Sequence, residues 1–348
     1  MSDKLIFAMS RQDAYYFKAR LRKRIDVIGS LNQEYGVKTL QPVIEVKEAL
    51  RMLKVPHTYL AVCSEETKEA MQTMGVKKDQ IVNVNKFKDT YYDNPMDGLT
   101  DHYDGLLMGM SHSQCAINTS SFSGINYFKM SAPSMDMFLH YHFLKNLTLN
   151  HRDLLSNMKS LLIELPYYIF NYDLSLFGDF VFTKMKYFDI AGNWHHLSGR
   201  DDIREYRLFA RLFDKPVSIQ SNQQSFIKNI SKKIGLYEIR TCYRAITNKD
   251  KVWTRYYEET KNENAYYWNE FKELVKIYMP HANLTVLVMP MNIAFRKTHS
   301  KSIMFQKSLF YSQMGGVCLV DDFELFNNPC LFSDHCHCNC SVNPVIAI

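Results

Sequence analysis

The 348-residue chain lacks several features that would settle its class at once. No apolar run reaches the roughly 18 residues that span a bilayer. The nearest approach, KSLLIELPYYIF at 159–170, is short and carries Glu164 and Pro166. The start, MSDKLIFAMSRQDAYY, places Asp3 and Lys4 ahead of a brief apolar stretch, which is not the pattern of a signal peptide. No Lys/Arg run is long enough to argue for nucleic acid. The densest, Arg20-Leu21-Arg22-Lys23-Arg24, falls near the end of a predicted helix, where cations suit the helix dipole. The formal charge of +6 is mild for this length. There is no internal repeat and no low-complexity tract. These absences give the expectation of a cytoplasmic protein with no transmembrane segment and no nucleic-acid partner, its eight cysteines held as thiols.

What is present is an ordinary folding composition, 46% hydrophobic and 22% charged, and long enough for two domains. Tyr and Phe number 22 each, and aromatic residues in such numbers read first as core. The first part alternates strand and helix: KLIFAMS, then QDAYYFKARLRKR; IDVIGSLN, then PVIEVKEALRMLKV with Pro42 at its start; HTYLAVCS, then EETKEAMQTMGV behind Ser64 as N-cap; and QIVNVNKF. Repeated strand–helix units imply a parallel sheet with helices on its faces. The first strand–helix turn, Ala8-Met9-Ser10-Arg11-Gln12-Asp13, has no glycine, so the GxGxxG pyrophosphate fingerprint is missing.

Residues 1–90 are therefore expected to form a Rossmann-like domain and the polar, Asn94-Pro95-bearing stretch 91–102 a linker. A second α/β domain is expected over 103–348. GLLMGMS, INYFKMSA, MKSLLIELPYY, ANLTVLVMPMN and GVCLVDD are its strands, and SMDMFLHYHFLKNL is a helix capped at Ser134. A helical insertion over about 171–281 is expected to cover its sheet.

Two motifs bracket that second domain. Leu106-Leu107-Met108 breaks at Gly109 and runs into Met110-Ser111-His112; Asp334 and His337 form a D-x-x-H unit in the tail. Taken alone, Ser111 reads as an N-cap. Taken with a carboxylate and a histidine beyond the last strand, it reads as a nucleophile. A serine hydroxyl needs a histidine to take its proton and a carboxylate to orient that histidine. The tail also offers His335, Cys336, His337, Cys338 and Cys340, with Cys330 nearby. Zinc sites usually split their ligands into two spaced pairs, and no second pair with such spacing is found elsewhere. A zinc-binding module at this tail is the remoter alternative, and no metal is assigned.

Gly109-Met110-Ser111 and Asp334-His335-Cys336-His337, in this order and placement, resemble the SGNH/GDSL hydrolase superfamily. The branch closest in flavour includes the D-alanyl transfer protein of teichoic acid synthesis and glycan O-acetyltransferases. The first domain resembles the Rossmann-like domains that precede sugar-modifying acyltransferases; a sugar-nucleotide site and a structural role are both open for it. The resemblance implies a three-layer α/β/α fold for the second domain. It implies Ser111 as nucleophile, His337 as base and Asp334 as its carboxylate, with no cofactor required and acetyl-CoA a compatible acyl donor. The implied substrate is a carbohydrate or acylated glycan precursor of a bacterial surface polysaccharide. Oxyanion donors would come from the Ser111 N–H, Ala132 and Asn171, and His112 would be a substrate contact. The family's second-block glycine is missing from Met130-Ser131-Ala132-Pro133-Ser134, and its third-block glycine and asparagine from Glu164-Leu165-Pro166-Tyr167. A catalytically degenerate glycan-binding or scaffold protein is accordingly the alternative reading.

Overall fold

The structure, a computed structural model, describes residues 2–31, 42–87, 96, 98–176, 195–197, 201–213, 262–328 and 331–332. Two compact units emerge, each α/β, each built on a wholly parallel sheet.

In the first unit the strands are β1 (Asp3–Ala8), β2 (Ile25–Ser30), β3 (Thr58–Val62) and β4 (Ile81–Asn83), in the order β2-β1-β3-β4. Between them run α1 (Arg11–Lys18), α2 (Val46–Met52) and α3 (Glu65–Thr73). β3 is buried along its whole length, as a central parallel strand covered on both faces must be. Helix starts follow the local chemistry: the Ser10 and Ser64 hydroxyls accept the N–H groups of Asp13 and Thr67. Pro42 is a correction, because it lies ahead of α2 rather than in it. The Pro42 carbonyl accepts the Ser30 N–H, and Ile44 N–H returns to the Ser30 carbonyl. These bonds keep the segment extended until Glu45, the residue at the N-cap of α2.

The first unit also takes α7 (Asp201–Leu212), from the stretch expected as an insertion covering the second sheet. Its apolar face carries Tyr206 and Phe209, whose rings meet Phe87, and Phe209 stacks on Phe213, which meets Phe17. Each such side chain, fully buried, contributes roughly 1.5–3 kcal/mol. Glu205 on the same helix accepts the Asn83 N–H at 2.7 Å and pairs with Lys68 at 2.6 Å and Lys86 at 3.3 Å.

The second unit has β5 (Gly105–Gly109), β6 (Tyr127–Ser131), β7 (Ser160–Glu164), β8 (Asn283–Val288) and β9 (Cys318–Asp321), in the order β6-β5-β7-β8-β9. Its helices are α4 (Ser111–Ala116), α5 (Met137–Asn150), α6 (Arg152–Ser156), α8 (Asn262–Tyr278), α9 (Ile293–Thr298) and α10 (Ser300–Gln313). β5 and β7 are buried throughout. α5 is buried on nearly every side, with Phe138, Leu139, Phe143, Leu144 and Leu147 wholly enclosed. It packs against α8. Its cap is Asp136, whose Oδ1 accepts the Leu139 N–H at 2.9 Å, and not Ser134, which sits in the preceding loop at φ +57°. Among the described residues no helix is long and apolar enough to cross a membrane.

Candidate functional site

In a doubly wound sheet the chain leaves the first strand to one side and later strands add on the other. The crevice this opens, at the carboxyl ends of the two central strands, is where such sheets hold ligands. Here that point lies between β5 and β7. It is lined by Gly109, Met110 and Ser111 at the end of β5 and by Glu164 at the end of β7.

Glu164 organises the turn. Its carboxylate is 1% exposed, and its two oxygens divide the work. Oε2 accepts the Met110 N–H at 2.6 Å, and Oε1 lies 2.9 Å from Nδ1 of His112, itself 5% exposed. Burial pushes the Glu164 carboxyl upward; the charge and hydrogen bond of His112, the Met110 N–H and His140 outweigh it and hold the group below its ordinary range. An ionised carboxylate can only accept, so His112 Nδ1 is the donor in this pair.

Gly109 is required by close approach, at an ordinary backbone geometry. A Cβ there would collide with the Ser113 Oγ and come within 3.0 Å of the Glu164 Cβ. The Ser113 hydroxyl is hydrogen-bonded to the Met110 carbonyl, which accepts its proton, and to the Ser131 hydroxyl, both at 3.0 Å. The strand therefore ends in glycine because a buried serine and a buried glutamate are packed against its last residue.

Ser111 is the first residue of α4 and is half-buried. The cap position belongs to Met110, which supplies no side-chain bond. The bland reading of Ser111 as an N-cap thus does not hold. Its N–H points toward the helix start rather than into the helical ladder. Ala132, expected as an oxyanion donor, spends its N–H on the Gly109 carbonyl at 3.1 Å, because the β5–β6 ladder continues one step past β6. Asn171 follows the 3-10 turn Tyr167–Phe170. Its side chain is buried, and among the described residues neither its amide oxygen nor its nitrogen has a hydrogen-bond partner. His112 is not a solvent-facing side chain. It neighbours Ser111 along α4, and adjacent helical residues do not face each other, so it cannot serve Ser111 as base directly. Asp334 and His337, and Cys330, His335, Cys336, Cys338 and Cys340 with them, lie outside the described residues. Cys63, Cys115 and Cys318 are thiols.

Two more buried titratable groups stand nearby on α5. His140 is wholly enclosed, and among the described residues neither ring nitrogen has a hydrogen-bond partner; burial pushes its pKa down to about 4. Asp136, one turn earlier, accepts the N–H groups of Leu139 and Leu174 at 2.9 Å each. Burial, helped by the charge of Asp173, raises it to about 7 against those bonds.

The sequence presents Glu164 as a charge that spoils a membrane span and as part of the degenerate third block, not as a site residue. A carboxylate at the end of an otherwise apolar central strand was the available signal, since a charge is buried only where it is paired. No protein-family model matches this chain, and a search of curated proteins found no match to it.

Proposed function

We propose that the second unit is a serine-dependent acyl-transfer module, an esterase or O-acyltransferase acting on a carbohydrate. The observation that carries this reading is the Ser111 turn. The residue is half-buried at the carboxyl edge, beside the strand-order reversal, and its hydroxyl is not used as the helix cap. A buried Glu164 fixes the backbone immediately before it.

In this reading Ser111 Oγ attacks the acyl carbonyl while His337, oriented by Asp334, takes its proton. The Ser111 N–H, with Asn171 as a second donor, holds the oxyanion. Collapse releases the donor's alcohol or thiol, which receives the proton back from His337, and leaves an ester on Ser111. Water or a sugar hydroxyl then attacks that ester and regenerates the serine. Acetyl-CoA is a compatible donor, and a precursor of a surface polysaccharide is a compatible acceptor.

The commitment of the Ala132 N–H to Gly109 favours a second reading, a catalytically degenerate glycan-binding protein. Steady-state hydrolysis of 4-nitrophenyl acetate separates the two. The catalytic reading predicts turnover that falls on the order of 10⁴-fold or more in Ser111→Ala and in His337→Ala. Turnover unchanged by Ser111→Ala, or none in folded wild type, favours the binding protein.

A further inference from the structure

The first unit carries its own concavity, at the edge of the sheet opposite the usual one. Its carboxyl edge is occupied, since Ser10 and Ser64 cap helices and Glu205 gathers Lys68, Lys86 and the Asn83 N–H. The amino edge is open. There the turns that lead into β3 and β4, the end of α2 and one face of α7 enclose a groove of about 750 Å³. Small-molecule sites measure roughly 300–1,000 Å³.

The groove has two kinds of wall. Leu53, Val76 and Leu208 supply a buried apolar lining, while Val55 and Met74 remain large apolar side chains exposed to water, at 48% and 53%. Among its lining residues Lys54, Lys77, Arg207 and Arg211 stand against one acid, Asp79. Arg211 is fixed in place: it donates to Asp3 at 2.9 and 2.8 Å and lies over the Tyr59 ring at 5.4 Å. His57, whose Nδ1 is 3.2 Å from the Arg211 guanidinium, holds φ +62°, a left-handed backbone that costs a residue with a Cβ roughly 1–2 kcal/mol. The rim is thus positive, with Arg211 held by Asp3, and the floor is apolar.

We propose that this groove binds a small anionic amphipath, a phosphate-bearing molecule with a flat apolar body. The body lies on the Leu53, Val76 and Leu208 lining, and the phosphate meets Lys54 and Lys77. The assignment is independent of acyl transfer in the second unit and can fail without affecting it.

Isothermal titration of the full chain with 1-naphthyl phosphate, 1-naphthol and inorganic phosphate is the test. The expected result is saturable binding of 1-naphthyl phosphate, at least about tenfold tighter than either fragment and weakened by added salt. Lys54→Glu/Lys77→Glu changes two exposed side chains and is expected to lose about tenfold or more in affinity. Met74→Asp, on the exposed apolar wall, is expected to weaken it as well while leaving the circular dichroism spectrum unchanged. Absence of saturable binding, affinity unchanged in both variants, or either fragment binding as tightly as the whole probe would overturn the proposal.

Discussion

The two units carry the same dipeptide at the same point of the same topology, and use it differently. β1 ends in Ala8 and continues Met9-Ser10; β5 ends in Gly109 and continues Met110-Ser111. In the first unit the helix begins after the serine, so Ser10 stays outside it and caps. In the second the helix begins one residue earlier, and Met110 occupies the cap position while Ser111 enters the helix. The neighbouring strands differ at this point. Ala8 pairs with Val62, an apolar residue that offers no side-chain acceptor. One step beyond the Met108–Ile163 pair, β7 instead supplies Glu164, which takes the N–H of Met110, the cap residue itself. A buried carboxylate holds the cap residue's own N–H, and Ser111 enters the helix where Ser10 caps it.

The largest expected break of this contrast is Glu164→Ala. It leaves His112 and the Met110 N–H buried without their acceptor and is expected to cost about 3–5 kcal/mol, read from the denaturant midpoint. Glu164→Gln keeps an acceptor and is expected to cost clearly less. Equal losses for the two would show that the carboxylate's bonds do not hold the turn.

The units also differ in how they keep charge. The first pairs Glu205 with Lys68 and Lys86, and Asp3 with Arg211. The second pairs Glu164 with His112 but also encloses His140 and Asp136, with no counter-charge bonded to either among the described residues, and the contributions of these two oppose each other. Asp136 keeps its proton in the folded protein up to about pH 7, where the unfolded chain has released it. Stability therefore falls as pH rises from about 4 to 7. His140 is neutral in the folded protein down to about pH 4, where the unfolded chain is protonated. Its contribution climbs from about pH 4 to 6.5 and is complete above that. Each is worth on the order of 3 kcal/mol across its window. Asp136→Asn is expected to leave a stability that rises with pH, and His140→Phe one that falls. Parallel pH profiles for the two variants would remove the distinction.

Smaller effects test the two turns directly. Gly109→Ala forces a Cβ onto Ser113 and Glu164, and overpacking of this kind typically costs about 1–3 kcal/mol. Ser10→Ala removes a cap and is expected to cost about 1 kcal/mol, by thermal unfolding, with no change in any acyl-transfer rate.

Much of the layout was legible from periodicity. The stretches 4–10, 57–64 and 105–111, which hold β1, β3 and β5, are near-continuous apolar runs, and Ser64 with Glu65 and Glu66 announces its helix. What escaped was set by distant partners. Pro42 has an ordinary helix-start signature, but its carbonyl is claimed by Ser30. Ser134 and Asp136 were both capable caps, and Asp136 wins because its second oxygen also holds the Leu174 N–H. The allegiance of α7 rests on Glu205 reaching Asn83 across 122 residues, which no local pattern encodes. At the candidate site Ser111 was legible by motif. The Glu164–His112 pair was not, because its members lie on different strand–helix units.

The most direct test of the account is covalent labelling with a fluorophosphonate, the adduct located by peptide mass spectrometry. The account predicts one adduct, on Ser111, absent from Ser111→Ala and His337→Ala, with Ser10 unmodified. Folded wild-type protein that takes no label, or an adduct that persists in Ser111→Ala, would contradict it.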